Sequence, residues 1–171
     1  MSETRSAPPT ASGAAALAEL PARLFGLIPM SLVQLVLRLA VAIPFLKSGF
    51  LKWDGFLKLS DVAILLFREE FRLHILGATY AFPAPVMMAW MSALAEVILP
   101  CLLIAGFGTR LAALGLLVMT GIIQLTEPGG WSNFHLPWAA MLLAILAYGP
   151  GKLSLDSFLS RLARWNGVAN R

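Results

Sequence analysis

The chain has 171 residues and a formal net charge of +4, with 58% hydrophobic residues and only 13% charged. A soluble domain carries about 25% charged residues, so this composition excludes a water-soluble domain and points to a single-domain, helical integral membrane protein. The basic residues never form a dense patch, which excludes nucleic acid as a partner and makes the positive balance a signal of membrane topology.

In chain order, residues 1–26 are poor in charge and rich in Ala, Ser, Pro and Thr, and read as a flexible N-terminal tail. They lack the basic start and immediate apolar core of a cleavable signal. The apolar run Leu27–Phe50 predicts a first membrane span over 28–50, with a kink at Pro44. Residues 51–85 are mixed, and Asp61–Ile75 predicts an amphipathic helix on the membrane surface. In it Ile64, Phe67, Phe71 and Ile75 recur at helical spacing, opposite Asp61, Arg68 and Arg72.

A second span is predicted over 86–106, ending in the glycine turn Gly106-Phe107-Gly108-Thr109, and a third over 110–125. Glu127-Pro128-Gly129-Gly130 breaks the chain before a short fourth span over 134–148, which ends at Gly149-Pro150-Gly151. Ser154–Trp165 predicts a basic amphipathic helix, and 159–171 a basic C-terminal tail. No strand is predicted. The expected fold is an all-α, integral membrane four-helix bundle with an additional amphipathic helix between spans one and two.

Four spans place both termini on one side, with Arg5, Arg23, Arg110, Lys152, Arg161, Arg164 and Arg171. On the other side, acidic residues accompany Lys47, Lys52, Lys58, Arg68 and Arg72. The positive-inside rule then favours cytoplasmic termini. One cysteine, Cys101, excludes an internal disulfide, a Cys-x-x-Cys pair and a thiolate metal cluster within this chain.

Several segments, in order, resemble the DoxX family of membrane proteins over about residues 30–158. Arg38-Leu39-Ala40 with Phe45, Ser48-Gly49 and Lys52 looks like its first-helix signature, and Glu96 like its second-helix acidic position. Gly106-x-Gly-Thr-Arg110-Leu-Ala-Ala113 resembles its turn, and Gly149-Pro-Gly-Lys-Leu-Ser-Leu-Asp156 its ending. The resemblance implies a DoxX-like membrane domain over 27–158 in the bacterial plasma (inner) membrane. It also implies service as a subunit or partner of a membrane redox or oxidative-stress system. Relatives include subunits of thiosulfate:quinone oxidoreductase, so a quinone is the cofactor implied, with a redox protein or a second copy of the chain as partner beside the lipid bilayer. Other relatives accompany copper-binding peptides, and many have no established activity.

An isolated charge deep in a bilayer costs at least about 2.5–3.5 kcal/mol on insertion scales. Arg38 and Glu96, each about ten residues into its span, are therefore expected to meet. In the functional reading they are the catalytic pair, Arg38 binding an anionic or quinone oxygen and Glu96 relaying a proton, with Gln34 and Gln124 orienting the ligand. In the structural reading the pair only holds two helices together. Lys52 is expected at a pocket mouth that draws in an anion, or else as an interfacial anchor. Gln124, Glu127, Asn133 and His135 converge at the outer end of spans three and four, with His135 a candidate acid–base group. Met87, Met88 and Met91 offer soft ligands for Cu(I), or ordinary helix packing.

Overall fold

A computed structural model describes the backbone of residues 25–169 and the side chains through Trp165. Most of the tail expected over 1–26 lies outside the described residues, as does the end of the C-terminal tail. Helix α1 (Met30–Phe50) is followed by the strand pair β1 (Trp53–Gly55) and β2 (Lys58–Leu59), short helix α2 (Asp61–Leu65) and a π turn, Leu66–Glu70. Strands β3 (Arg72–Ile75) and β4 (Ala78–Ala81) form a second hairpin. Helices α3 (Pro85–Ala105), α4 (Thr109–Thr126), α5 (Leu136–Tyr148) and α6 (Leu155–Ala169) complete the chain, with a 3-10 turn and a π turn, Trp131–His135, before α5.

Three helices, α1, α3 and α4, have the length and apolarity to cross a membrane. Their predicted limits fall within two residues of those found, because hydropathy alone sets them. Their outward faces carry exposed Leu32, Val36, Ile43, Leu94, Ile98, Leu111, Val118 and Ile122. On helices of spanning length, such surface suits contact with lipid. Helix α5 has 13 residues, about 20 Å at about 1.5 Å per residue, and does not by itself match a hydrocarbon core about 30 Å thick. Three helices therefore have spanning length, beside the shorter α5 and two small β-hairpins.

Four helices share one apolar core. Val41, Ala42 and Phe45 of α1 meet Leu103 of α3, Ala112, Ala113 and Leu116 of α4, and Leu142 and Ile145 of α5. Small residues dominate where backbones approach, as expected where lipid removes the hydrophobic drive between helices. Gly49 marks the closest approach: a Cβ there would lie 2.8 Å from the Glu96 carbonyl oxygen.

The expected amphipathic helix over Asp61–Ile75 is a correction. Ser60 caps α2 by accepting from the Ala63 amide at 3.1 Å, but helical structure stops at Glu70. Leu76 and Gly77, both at positive φ (51° and 83°), make the tight turn of a β-hairpin. That turn pairs Arg72 with Ala81 and Ile75 with Ala78, so Ile75 belongs to a strand and its helical spacing to Phe71 is coincidental. The absence of strands is corrected with it. A second small core gathers Leu59, Ala63 and Phe67 against Ala89 and Ala93 of α3, and His74 ties the hairpin to α4 through the Leu125 carbonyl, 3.1 Å from Nδ1.

Candidate functional site

The two buried charges of α1 and α3 do not meet. The helices are antiparallel but staggered, so the Glu96 backbone lies against Gly49, not Arg38. Eleven residues on α1 separate those positions, about 16 Å along the axis at about 1.5 Å per residue. Equal distance from the span ends, the basis for expecting a pair, fails because the helix ends are not level.

Glu96 instead pairs with Lys52. Lys52 Nζ donates to Glu96 Oε2 at 2.5 Å and to Ser48 Oγ at 3.0 Å. Ser92, one turn before Glu96 on α3, donates to Oε1 at 2.8 Å. Lys52 sits just past α1, its amide bonded to the Gly49 carbonyl at 3.1 Å and its own carbonyl to the Ser60 amide at 2.9 Å. The chain thus turns back at Lys52 and directs its ammonium group into the bundle. The Glu96 side chain is 5% exposed and that of Lys52 15%. Both charges are therefore partnered at a depth where an unpartnered one would be costly.

This ion pair forms part of the wall of a cavity of about 380 Å³. Pro44 and Phe45 of α1, Met88, Met91 and Leu99 of α3, Gly115, Met119 and Ile123 of α4, and Trp138 of α5 supply apolar walls. Phe67, Phe71 and Phe82 close the end formed by the hairpins, with the Phe67 ring centroid 5.1 Å from Phe71 and 5.5 Å from Phe82. Met91, Val118 and Ile122 line the cavity and are also exposed on the outside of α3 and α4. The cavity thus reaches the lipid-facing surface between those helices. It is a largely apolar chamber whose polar lining is the ion pair, the hydroxyls of Ser48, Ser92 and Thr126, and Glu127, the composition of a site for a small lipophilic molecule with a polar end.

Arg38 lies at the other end of the bundle, away from this cavity. Its side chain is fully buried, and Nη1 donates to the Leu103 and Ile104 carbonyls at 3.2 and 3.3 Å, while Nη2 donates to the Leu153 carbonyl. Its Nε is the one buried side-chain polar atom without a partner among the described residues. Arg38 therefore serves the C-terminal end of α3, where carbonyls lack helical partners and a cation is favourable. Gly106 follows at φ 70°, and a Cβ there would collide with the Arg38 guanidinium and with Ser154.

Asp156 does the converse for α4. Gly108 offers no side-chain cap, and the Asp156 carboxylate accepts from the Gly108 amide (2.8 Å), the Thr109 amide (2.9 Å) and Thr109 Oγ1 (2.8 Å). Burial pushes this carboxyl up. The Thr109 and Gly108 hydrogen bonds and the charge of Arg38 outweigh that and hold it below its ordinary value. Gln34 belongs to the same region, donating to the Tyr148 carbonyl at 2.9 Å and the Gly149 carbonyl at 3.4 Å.

Of the expected site residues, Glu96 and Lys52 line the cavity and touch. Arg38 and Gln34 do not line it, and the expected contact between Arg38 and Glu96 is corrected. Gln124 and His135 do meet, Nδ1 2.7 Å from Oε1, His135 buried and Gln124 half-buried, but neither lines the cavity. Met88 and Met91 line the cavity and Met87 does not. Among the described residues no group of three or more His, Cys, Asp or Glu side chains could hold a metal ion. Sequence reasoning missed Ser92, and had Ser48 and Asp156 only as motif residues without a role. Ser92 was findable as a hydroxyl one turn from Glu96.

The family model of DoxX matches residues 33–127, a stretch that holds both Arg38 and the Lys52–Glu96 pair. An uncharacterized protein of Haemophilus influenzae is 29% identical over 140 residues, covering 75% of this chain and 83% of that protein. No solved structure matches. With more than half its length matched, and its first-helix, acidic and turn motifs falling in the matched stretch, the chain belongs to the DoxX family.

Proposed function

We propose that this DoxX-family membrane protein binds a small lipophilic, quinone-like molecule in the cavity beside Lys52 and Glu96. It does so as a subunit or partner of a membrane redox or oxidative-stress system. The observation that carries the reading is a buried ion pair in the wall of a largely apolar chamber that reaches the outer surface of α3 and α4. A ring with carbonyl oxygens fits that contrast: the oxygens accept from Lys52 Nζ and Ser48 Oγ, and the ring packs against Phe45 and Trp138. Access from the bilayer suits a ligand that resides there. In this reading α5 and the turn before it complete a fourth crossing, and both termini face the cytoplasm of a bacterial plasma membrane.

Titration of the purified protein with a short-chain ubiquinone analogue tests the proposal. Saturable binding is expected, weakened about tenfold or more in Lys52→Met and Glu96→Gln, each of which removes charge-assisted hydrogen bonds. Absence of saturable binding, or equal affinity in both variants, overturns it.

A scaffold or assembly role is the second reading. The Arg38–Asp156 region favours it, because every contact there goes to the chain's own backbone or to Thr109. A copper-handling role rests on Met88 and Met91 alone and predicts Cu(I) retention that disappears when both become Leu.

A further inference from the structure

Helix α6 carries two contrasting faces. Leu155, Phe158, Leu159, Leu162 and Trp165 recur at helical spacing, and all five are exposed. Ser157, Ser160, Arg161 and Arg164 take the opposite face and, with Lys152, line a shallow concavity of about 450 Å³. Every residue lining it is a cation or carries a hydroxyl, and no carboxylate does. Arg161 is held by its Nε on the Ser157 carbonyl (3.2 Å) and its Nη2 on the Lys152 carbonyl (3.2 Å). Arg164 Nε donates to the Ser160 carbonyl at 3.3 Å. Both arginines are therefore held on this face, with Lys152 beside them.

The start of α6 is fixed at a known depth. The Asp156 amide donates to the Gly106 carbonyl at 2.9 Å, and its carboxylate binds Gly108 and Thr109. Those residues form the turn between two helices of spanning length, so α6 begins at the edge of the hydrocarbon. An apolar strip at that depth seats in the acyl boundary, and the opposite face then stands among the lipid phosphates.

We propose that Lys152, Arg161 and Arg164, with Ser157 and Ser160, form a binding site for the phosphate of an anionic phospholipid, and that α6 lies in the interface to present it. Charge complementarity and continuity with the lipid-facing surface favour a lipid over free phosphate. The strip would be left in water if the ligand were a free ion.

The test uses the full-length protein in detergent with equal amounts of phosphatidylglycerol and phosphatidylcholine, and counts retained lipids by native mass spectrometry. Wild type is expected to retain phosphatidylglycerol preferentially. Lys152→Gln/Arg161→Gln/Arg164→Gln is expected to lose that preference on the order of tenfold or more, with phosphatidylcholine unchanged. Leu159→Gln/Leu162→Gln is expected to lower retention of both lipids. Equal preference in wild type and the triple variant overturns the proposal. So does displacement of phosphatidylglycerol by equimolar inorganic phosphate, or a dimer that Leu159→Gln/Leu162→Gln abolishes.

Discussion

The bundle buries charge at two ends and uses it differently. At the end formed by α6 and the α3–α4 turn, Arg38 and Asp156 are spent on backbone. The cation takes the last carbonyls of α3, and the carboxylate takes the first amides of α4. At the hairpin end, Lys52 and Glu96 take each other and two serines, and line a largely apolar cavity. A buried charge is thus no guide to a ligand site by itself. What distinguishes the two ends is whether space adjoins the charge and whether its partners are fixed backbone or side chains that can re-pair.

The largest effect expected from breaking this contrast is at Arg38. Arg38→Leu takes the guanidinium from the carbonyls of Ile104 and Leu153, and leaves that of Leu103 to the Gly106 amide alone, and should cost about 3 kcal/mol or more. Thermal unfolding in lipid nanodiscs would show it as a lowered midpoint, while folded protein keeps its ligand affinity. A midpoint equal to wild type would show that the clasp is not structural. Gly49→Leu should rank next, since its side chain must displace the Glu96 backbone. It is expected to lower both stability and ligand binding, with overpacking costing about 1–3 kcal/mol. Retained binding at lowered stability would separate the helix contact from the cavity.

Acid sharpens the comparison from the other side. The Asp156 carboxyl is held below its ordinary value, so the stability it contributes is fully present above the ordinary value of 3.8. It is lost as pH falls from there through the lowered folded value. Unfolding midpoints should therefore drop in that range for wild type and drop less for Asp156→Asn, which is already less stable at neutral pH. Parallel curves for the two proteins would count against the linkage. The smallest effect expected is at Ser92. Ser92→Ala removes one hydrogen bond to Glu96, about 1 kcal/mol, and should weaken binding of the quinone analogue several-fold without moving the unfolding midpoint much.

The limits of the three long helices were legible because hydropathy sets them locally. Glu96 and Lys52 were both legible as chemistry, one as a charge inside a span and one as a charge at its mouth. Their partnership was not legible. It depends on the stagger of α1 against α3, which Gly49 permits by close approach and which no pattern within either helix encodes. The 61–75 segment misled for a related reason: Ile64, Phe67 and Phe71 do have helical spacing, but the chain reverses at Leu76–Gly77, a turn lacking the usual Asn-Gly signal. Asp156 was legible as a motif residue, but its role as a cap was not, because the amide it serves lies 48 residues away.

The most direct test of the central claim is photo-crosslinking in native membranes with an azido-quinone, followed by mass spectrometry of the labelled peptides. The account predicts labels on cavity residues such as Met88, Met91, Met119 and Trp138, lost in Glu96→Gln and kept in an Arg38 variant that still folds. Labels clustered instead around Arg38, Gln34 and the Gly149–Gly151 turn, unaffected by Glu96→Gln, would contradict it.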